Sequence, residues 1–275
     1  MGAEGDAPPV AGTNHVSFGK SQLRLECTLE EQMADIENSN KLWDTRDRNK
    51  LKAGIIVGYS LASLTLITFV FAMLAVPISG ANAPNGGIPY PYLDTLQQYP
   101  RDYIWQYIGM VVIILYLAHY AFIEKYINAS TKISTRIGLL LAIISAGILL
   151  VDYYLQVTII VPSLRANEHE GIALVTQYNP HGTFIALEEL GYILMLLSFV
   201  CLVPIYIRKA YGARSLAIIN TAGAVVVMLD FIALSIKYGL DRKDRFEIVI
   251  LSVCWLLLIL NGLLIARRIR KDVSV

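Results

Sequence analysis

A chain of 275 residues with 55% hydrophobic content and a mean hydropathy of +0.53 is too apolar for an ordinary soluble domain. Its 23 basic and 22 acidic residues leave a net charge of +1, which singles out no partner and gives no reason to expect nucleic acid. Several apolar runs instead match the roughly twenty residues that a helix needs to cross about 30 Å of hydrocarbon.

Residues 1–27 are rich in Gly, Pro and Ala and show little periodicity. Thr28-Leu29-Glu30-Glu31 has the form of a capping box, in which the Thr hydroxyl and Glu carboxylate satisfy orphan amides at a helix start. Leu29, Met33, Ile36 and Trp43 follow at helical spacing, predicting a short amphipathic helix over about 28–44. Its acidic polar face argues against adsorption to anionic lipid, leaving packing beneath a bundle or docking to a partner. No cleaved signal peptide is expected, because the first apolar run is full length and preceded by about fifty polar residues.

Six spans are predicted, over 53–78, 104–124, 136–161, 184–207, 215–237 and 247–266. Only helices pair their backbone amides within one continuous apolar segment, so the expected fold is an all-α polytopic transmembrane helical bundle. Basic residues crowd alternate connections: Lys41 to Lys52, Lys125 to Arg136, Arg208 to Arg214, and Arg267 to Lys271. The positive-inside rule then places both termini in the cytoplasm of a multi-pass protein of the plasma membrane. The chain divides into a cytoplasmic tail, 1–50, and a six-helix membrane domain, 51–275.

The loop over 79–103 holds Pro84, Pro89, Pro91 and Pro100 with Asn85-Gly86-Gly87, predicting a stiff, extended, non-helical cover. Tyr90, Tyr92, Tyr99, Tyr103, Trp105 and Tyr107 cluster there, as an interfacial aromatic belt or as an aromatic lid. The loop over 162–182 ends in Gln177-Tyr178-Asn179-Pro180-His181-Gly182, which is turn chemistry. Gly54, Gly58 and Ala62, and likewise Gly138, Ala142 and Ala146, repeat every four residues and predict close helix contacts. Pro204 is expected to kink the fourth span near its end.

Ionisable groups within spans are costly and point to function. Asp152 lies in the third span with Gln156 one turn on, Glu188 and Glu189 open the fourth, and Asp230 lies in the fifth. The topology puts these groups in one outer-half layer, with Tyr153 and Tyr192 inside it and Tyr178, Asn179 and His181 just above. Three readings follow. The carboxylates pair with Lys237, Arg101 or Arg165 and pin helices together. Alternatively they line an outward cavity that binds a cation, a proton or a polar lipid headgroup. In the third, one carboxylate is the base of an intramembrane enzyme with His181 as acid or ligand.

His15, His119, His169 and His181 are too scattered for a zinc site, and Cys27, Cys201 and Cys254 suggest neither a disulfide nor a metal set. No nucleophile elbow, phosphate loop or dinucleotide fingerprint is present, so no cofactor is expected.

Pro91-Tyr92-Leu93-Asp94, Pro100-Arg101-Asp102-Tyr103-Ile104-Trp105, and Gln177–Gly182 with Ala186–Tyr192 resemble segments of a group of prokaryotic multi-pass membrane proteins. The resemblance covers most spans but not the first fifty residues. It implies a multi-pass fold and assigns no substrate, cofactor or catalytic residue. The resulting expectation is a cavity binding or moving a small polar or amphiphilic ligand, an ion, a proton-linked solute or a lipid headgroup. Asp152, Glu188, Glu189 and Asp230 would supply charge, with Gln156, Tyr192, His181 and Asn179 orienting the ligand. Besides membrane lipid, partner membrane subunits are the other expected company, the chain then being a non-catalytic subunit of a larger complex.

Overall fold

The computed structural model describes residues 49–75, 88–126, 133–207 and 213–273, and Leu51–Val275 forms one compact unit. The capping box and tail helix expected over 28–44 lie outside the described residues. Every regular element among the described residues is helical. In chain order they are α1 (Asn49–Met73), α2 (Ile104–Tyr126), α3 (Ile133–Leu155), α4 (Val161–Arg165) and α5 (Ile172–Val175). Then follow α6 (Thr183–Tyr206), α7 (Arg214–Tyr238) and α8 (Lys243–Val273). Six helices are long and apolar enough to cross a membrane, which makes an integral membrane protein the natural class.

α6 is the hub. It packs most extensively on α3 and also touches α7 and α8, while α2 packs on α3. Half of its span is buried against 22% for α7, which leaves α7 the most lipid-facing crossing. Buried hydroxyls and amides join the helices. Tyr116 Oη donates to Ser198 Oγ at 2.7 Å, Tyr120 Oη to Ser198 O at 3.0 Å, and Ser145 Oγ to Gly191 O at 2.8 Å. Asn220 of α7 and Asn261 of α8 exchange amide hydrogen bonds, the shorter 2.8 Å. In hydrocarbon such bonds contribute where apolar side chains gain little by associating.

The glycines of the two small-residue stripes each meet another helix. A Cβ on Gly262 of α8 would stand 2.6 Å from Gly58 O of α1, so only glycine permits this crossing of two backbones. Gly54 instead admits the Phe122 ring, and Gly138 the Tyr120 hydroxyl. Pro204 falls in the last turn of α6, where the helix is about to end.

Two departures from the sequence reading concern the loops. The stretch after Pro91 is not extended: Leu93–Gln98 forms a 3₁₀ turn between Pro91 and Pro100, and Arg101–Tyr103 forms another directly after Pro100. Proline's fixed φ suits the start of such a turn as well as it suits an extended strand. The third crossing does not stop at Val161-Pro162. A π turn over Gln156–Ile160 leads into α4, and helix continues to Arg165. Pro162 lacks an N–H and its ring would crowd the preceding turn, and a widened turn relieves both.

Candidate functional site

The buried carboxylates gather at the proline-rich end of the bundle, those of the long helices on faces set by four-residue spacing. Phe184, Glu188 and Tyr192 share a buried face of α6, and Glu247, Leu251 and Trp255 share a face of α8. On α3 the inward residues are Leu149, Asp152 and Tyr153, with Gln156 at the π turn.

A directional hydrogen-bond chain runs through them. Trp255 Nε1 can only donate, and it donates to Tyr192 Oη at 2.7 Å. Tyr192 and Tyr153 hydroxyls are 2.7 Å apart, and Tyr153 Oη donates to Glu188 Oε1 at 2.6 Å. The Tyr192 proton therefore points to Tyr153, and the chain ends on the Glu188 carboxylate. All four side chains are at least 97% buried. Trp105 stacks edge-on against Tyr153 at 5.1 Å and lies 6.0 Å from Trp255, while Phe184 is 6.2 Å from Tyr153. Glu188 is within hydrogen-bonding reach of Glu247 and close enough to Asp152 for their charges to interact.

Beside this chain lies a cavity of about 360 Å³. Glu188, Glu247, Gln177, Tyr178 and Ser252 provide its polar groups, Trp105 and Phe184 its aromatic wall, and Ala72, Met73, Ala75, Ile248 and Leu251 its apolar remainder. Met73 and Ile248 are exposed on the lipid-facing surface, so the cavity reaches the flank of the bundle between α1 and α8.

The loop wall is held by a second network. Asp102, fully buried, receives Arg101 Nε and Tyr178 Oη, each at 2.6 Å. Burial and then the Asp102 carboxylate, which accepts its proton, push the Tyr178 phenol well above its ordinary range, so it stays a donor. Gln177 N donates to Gln156 Oε1 at 3.0 Å, Gln156 Nε2 to Val175 O at 2.6 Å, and Gln106 Nε2 to Gln177 Oε1 at 2.8 Å. Gln156 thus ties the π turn to the loop that forms one side of the cavity.

Of the residues expected to form a site, Glu188 lines the cavity and Tyr192 backs it through Tyr153. Gln156 holds the wall, and Asp152 stands beside Glu188 with its Oδ2 unpartnered. The other four do not line the cavity. Glu189, one residue round the helix, pairs with Arg242 at 3.4 Å. Asp230 is only partly buried on α7. Asn179 shapes the turn by donating to Ala173 O and accepting from His181 N, and the His181 side chain is exposed. The bases expected as partners are engaged elsewhere: Arg101 on Asp102, Arg165 over Tyr99 and Lys237 over Tyr238. Neither described ion pair involves Asp152 or Glu188. Among the described residues no three His, Cys, Asp or Glu are placed to hold a metal.

Sequence reasoning missed Glu247, Asp102 and Trp255. Glu247 was read as the edge of a span, but α8 starts a turn earlier, at Lys243, and carries it inside. Asp102 stood in a noted segment without a role, because it falls just outside the span expected over 104–124, where a charge carries no cost of burial in hydrocarbon. Trp255 gave no signal, being one aromatic among apolar neighbours. Comparison with known protein families, curated proteins and solved structures finds no match to this chain, and the functional reading rests on geometry.

Proposed function

We propose that this integral membrane protein binds a small amphiphilic ligand with a cationic head, such as an alkyl or aryl amine, in the cavity beside Glu188. By the charge rule the cavity faces the exterior half of the membrane. The observation that carries the reading is the convergence of Glu188 and Glu247 on one cavity whose other walls are aromatic and aliphatic. Two neighbouring carboxyls repel when both are ionised, and a bound cation or a shared proton relieves that repulsion. Trp105, Phe184 and Tyr178 offer π faces to a quaternary or protonated amine. The volume lies at the lower end of the roughly 300–1,000 Å³ typical of small-molecule sites. The opening between Met73 and Ile248 suits a ligand arriving from the lipid with its apolar part trailing.

In this reading the ligand takes the place of a proton held between the carboxyls. Glu188 supplies the charge, and the Trp255–Tyr192–Tyr153 chain fixes its orientation. Asp152 raises the local negative potential. The test is titration of the purified protein in lipid nanodiscs with benzyltrimethylammonium, benzyl alcohol and benzoate, followed by Trp fluorescence and calorimetry. The cation is expected to bind in preference to both congeners, and Glu188→Gln to abolish the preference. Equal binding of the neutral congener, or an unaltered preference in Glu188→Gln, would refute the proposal.

A further inference from the structure

At the opposite, basic end, a concavity of about 540 Å³ lies between α1, the start of α7 and the end of α8. Arg267, Arg268, Arg270 and Lys271, from the last turns of α8, form its wall, and among the described residues that line it none is acidic. Its floor is apolar, with Leu216 and Ile265 almost fully buried and Leu264 beside them. Tyr59 and Ser215 add hydroxyls. α7 begins at this wall with Ala213 as its N-cap and no side-chain cap, so its first amides point outward at the positive end of the helix.

We propose that this concavity binds the phosphate-bearing headgroup of an anionic membrane lipid. Like charges within two turns of one helix repel, and a multiply coordinating anion relieves that repulsion. Arginine suits this role because its planar fork meets phosphate oxygens in pairs. Arg267, Arg270 and Lys271, at i, i+3 and i+4, share one face of α8, so their heads converge on one group. The apolar floor distinguishes a lipid from a free anion. Phosphate alone would gain nothing from the half-buried Leu264, whereas glycerol and the first acyl carbons of a lipid would cover its open side. The concavity also stands where two crossing helices leave the apolar layer, the level at which headgroups sit.

The test is native mass spectrometry of the full chain in detergent micelles, titrated with phosphatidylglycerol or phosphatidylcholine of identical acyl chains. The wild type is expected to retain phosphatidylglycerol preferentially. In the double variant Arg267→Gln, Arg270→Gln the preference should fall by about thirtyfold, as expected for two basic side chains at a membrane surface. Both side chains are exposed, and an unchanged thermal unfolding profile checks that the fold is intact. If the variant unfolds, the wild type alone decides: its preference must shrink as sodium chloride is raised. Equal retention of the two lipids, or a preference indifferent to both the variant and salt, would overturn the proposal. Displacement of the lipid by inorganic phosphate at equal concentration would overturn the lipid as the source of the phosphate.

Discussion

Removal of the Tyr153 hydroxyl offers the sharpest test of the buried chain. That oxygen donates to Glu188 Oε1 at 2.6 Å and meets Tyr192 Oη at 2.7 Å, in a place where Tyr153 and Glu188 are each 1% exposed. Tyr153→Phe therefore strips the carboxylate of a buried donor. In soluble proteins a hydrogen bond to a charged group contributes about 1.5–3 kcal/mol. Hydrogen bonds between membrane helices average about 0.6 and reach about 1.7 kcal/mol, because the unfolded chain in lipid finds other partners. This bond is short, buried and charge-assisted, so a coupling of about 1.5 kcal/mol is expected from the upper end of that range. The assay is a double-mutant cycle of Tyr153→Phe and Glu188→Met, read by reversible unfolding in mixed micelles with rising dodecyl sulfate. Met is used because Gln would keep an acceptor oxygen. The control cycle pairs Tyr192→Phe with Glu188→Met. Tyr192 stands one turn from Glu188 on α6 but hydrogen-bonds it only through Tyr153, so its coupling should be the smaller, about the 0.2–0.5 kcal/mol of an i,i+4 pair. A Tyr153 coupling no larger than that of Tyr192 would refute the directional chain.

Gly262→Ala should destabilise the bundle by about 1–3 kcal/mol in the same assay, because its Cβ would press on the α1 backbone at Gly58 O. Gly147→Ala, with nothing within 4 Å of the new Cβ, should be neutral or stabilising by up to about 1 kcal/mol through helix propensity. Asn261→Leu should cost about 0.6–1.7 kcal/mol by breaking the amide pair with Asn220, and Asn220→Leu added to it should cost little more. Tyr178→Phe removes one donor from Asp102, and faster hydrogen exchange over 172–178 with an unchanged unfolding midpoint is the expected result. Binding of benzyltrimethylammonium should weaken on acidification, since protons compete for Glu188 and Glu247, and Glu188→Gln should flatten that dependence.

The crossings were legible because hydrocarbon thickness imposes a length that composition reveals directly. Their ends were not. Hydropathy reports the apolar layer, whereas α8 runs from Lys243 to Val273 through charged residues that are content in headgroups or water. That difference is what hid Glu247. The cost of burying Asp152 and Glu188 was equally legible, and both are buried. Which acids face one another was not, because depth along a helix says nothing of direction around it. Glu188 and Glu189 stand about 100° apart on α6, enough to send one to the cavity and the other to Arg242. The loop wall was half legible. Gln177 to Gly182 announced a turn, but its anchors Gln106, Gln156 and Asp102 lie on two other helices and are set by tertiary packing.

The π turn in the third crossing makes that helix two separately aimed pieces. One extra residue rotates everything beyond it by about 100° relative to a regular helix. The piece before the turn keys Tyr153 to Glu188, and the turn itself delivers Gln156 to the backbone of Val175 and Gln177. Deleting any single residue between 156 and 160 would leave length and hydropathy nearly untouched. It would still force a choice between the two alignments, so this crossing is far less forgiving of a one-residue slip than its greasy sequence suggests.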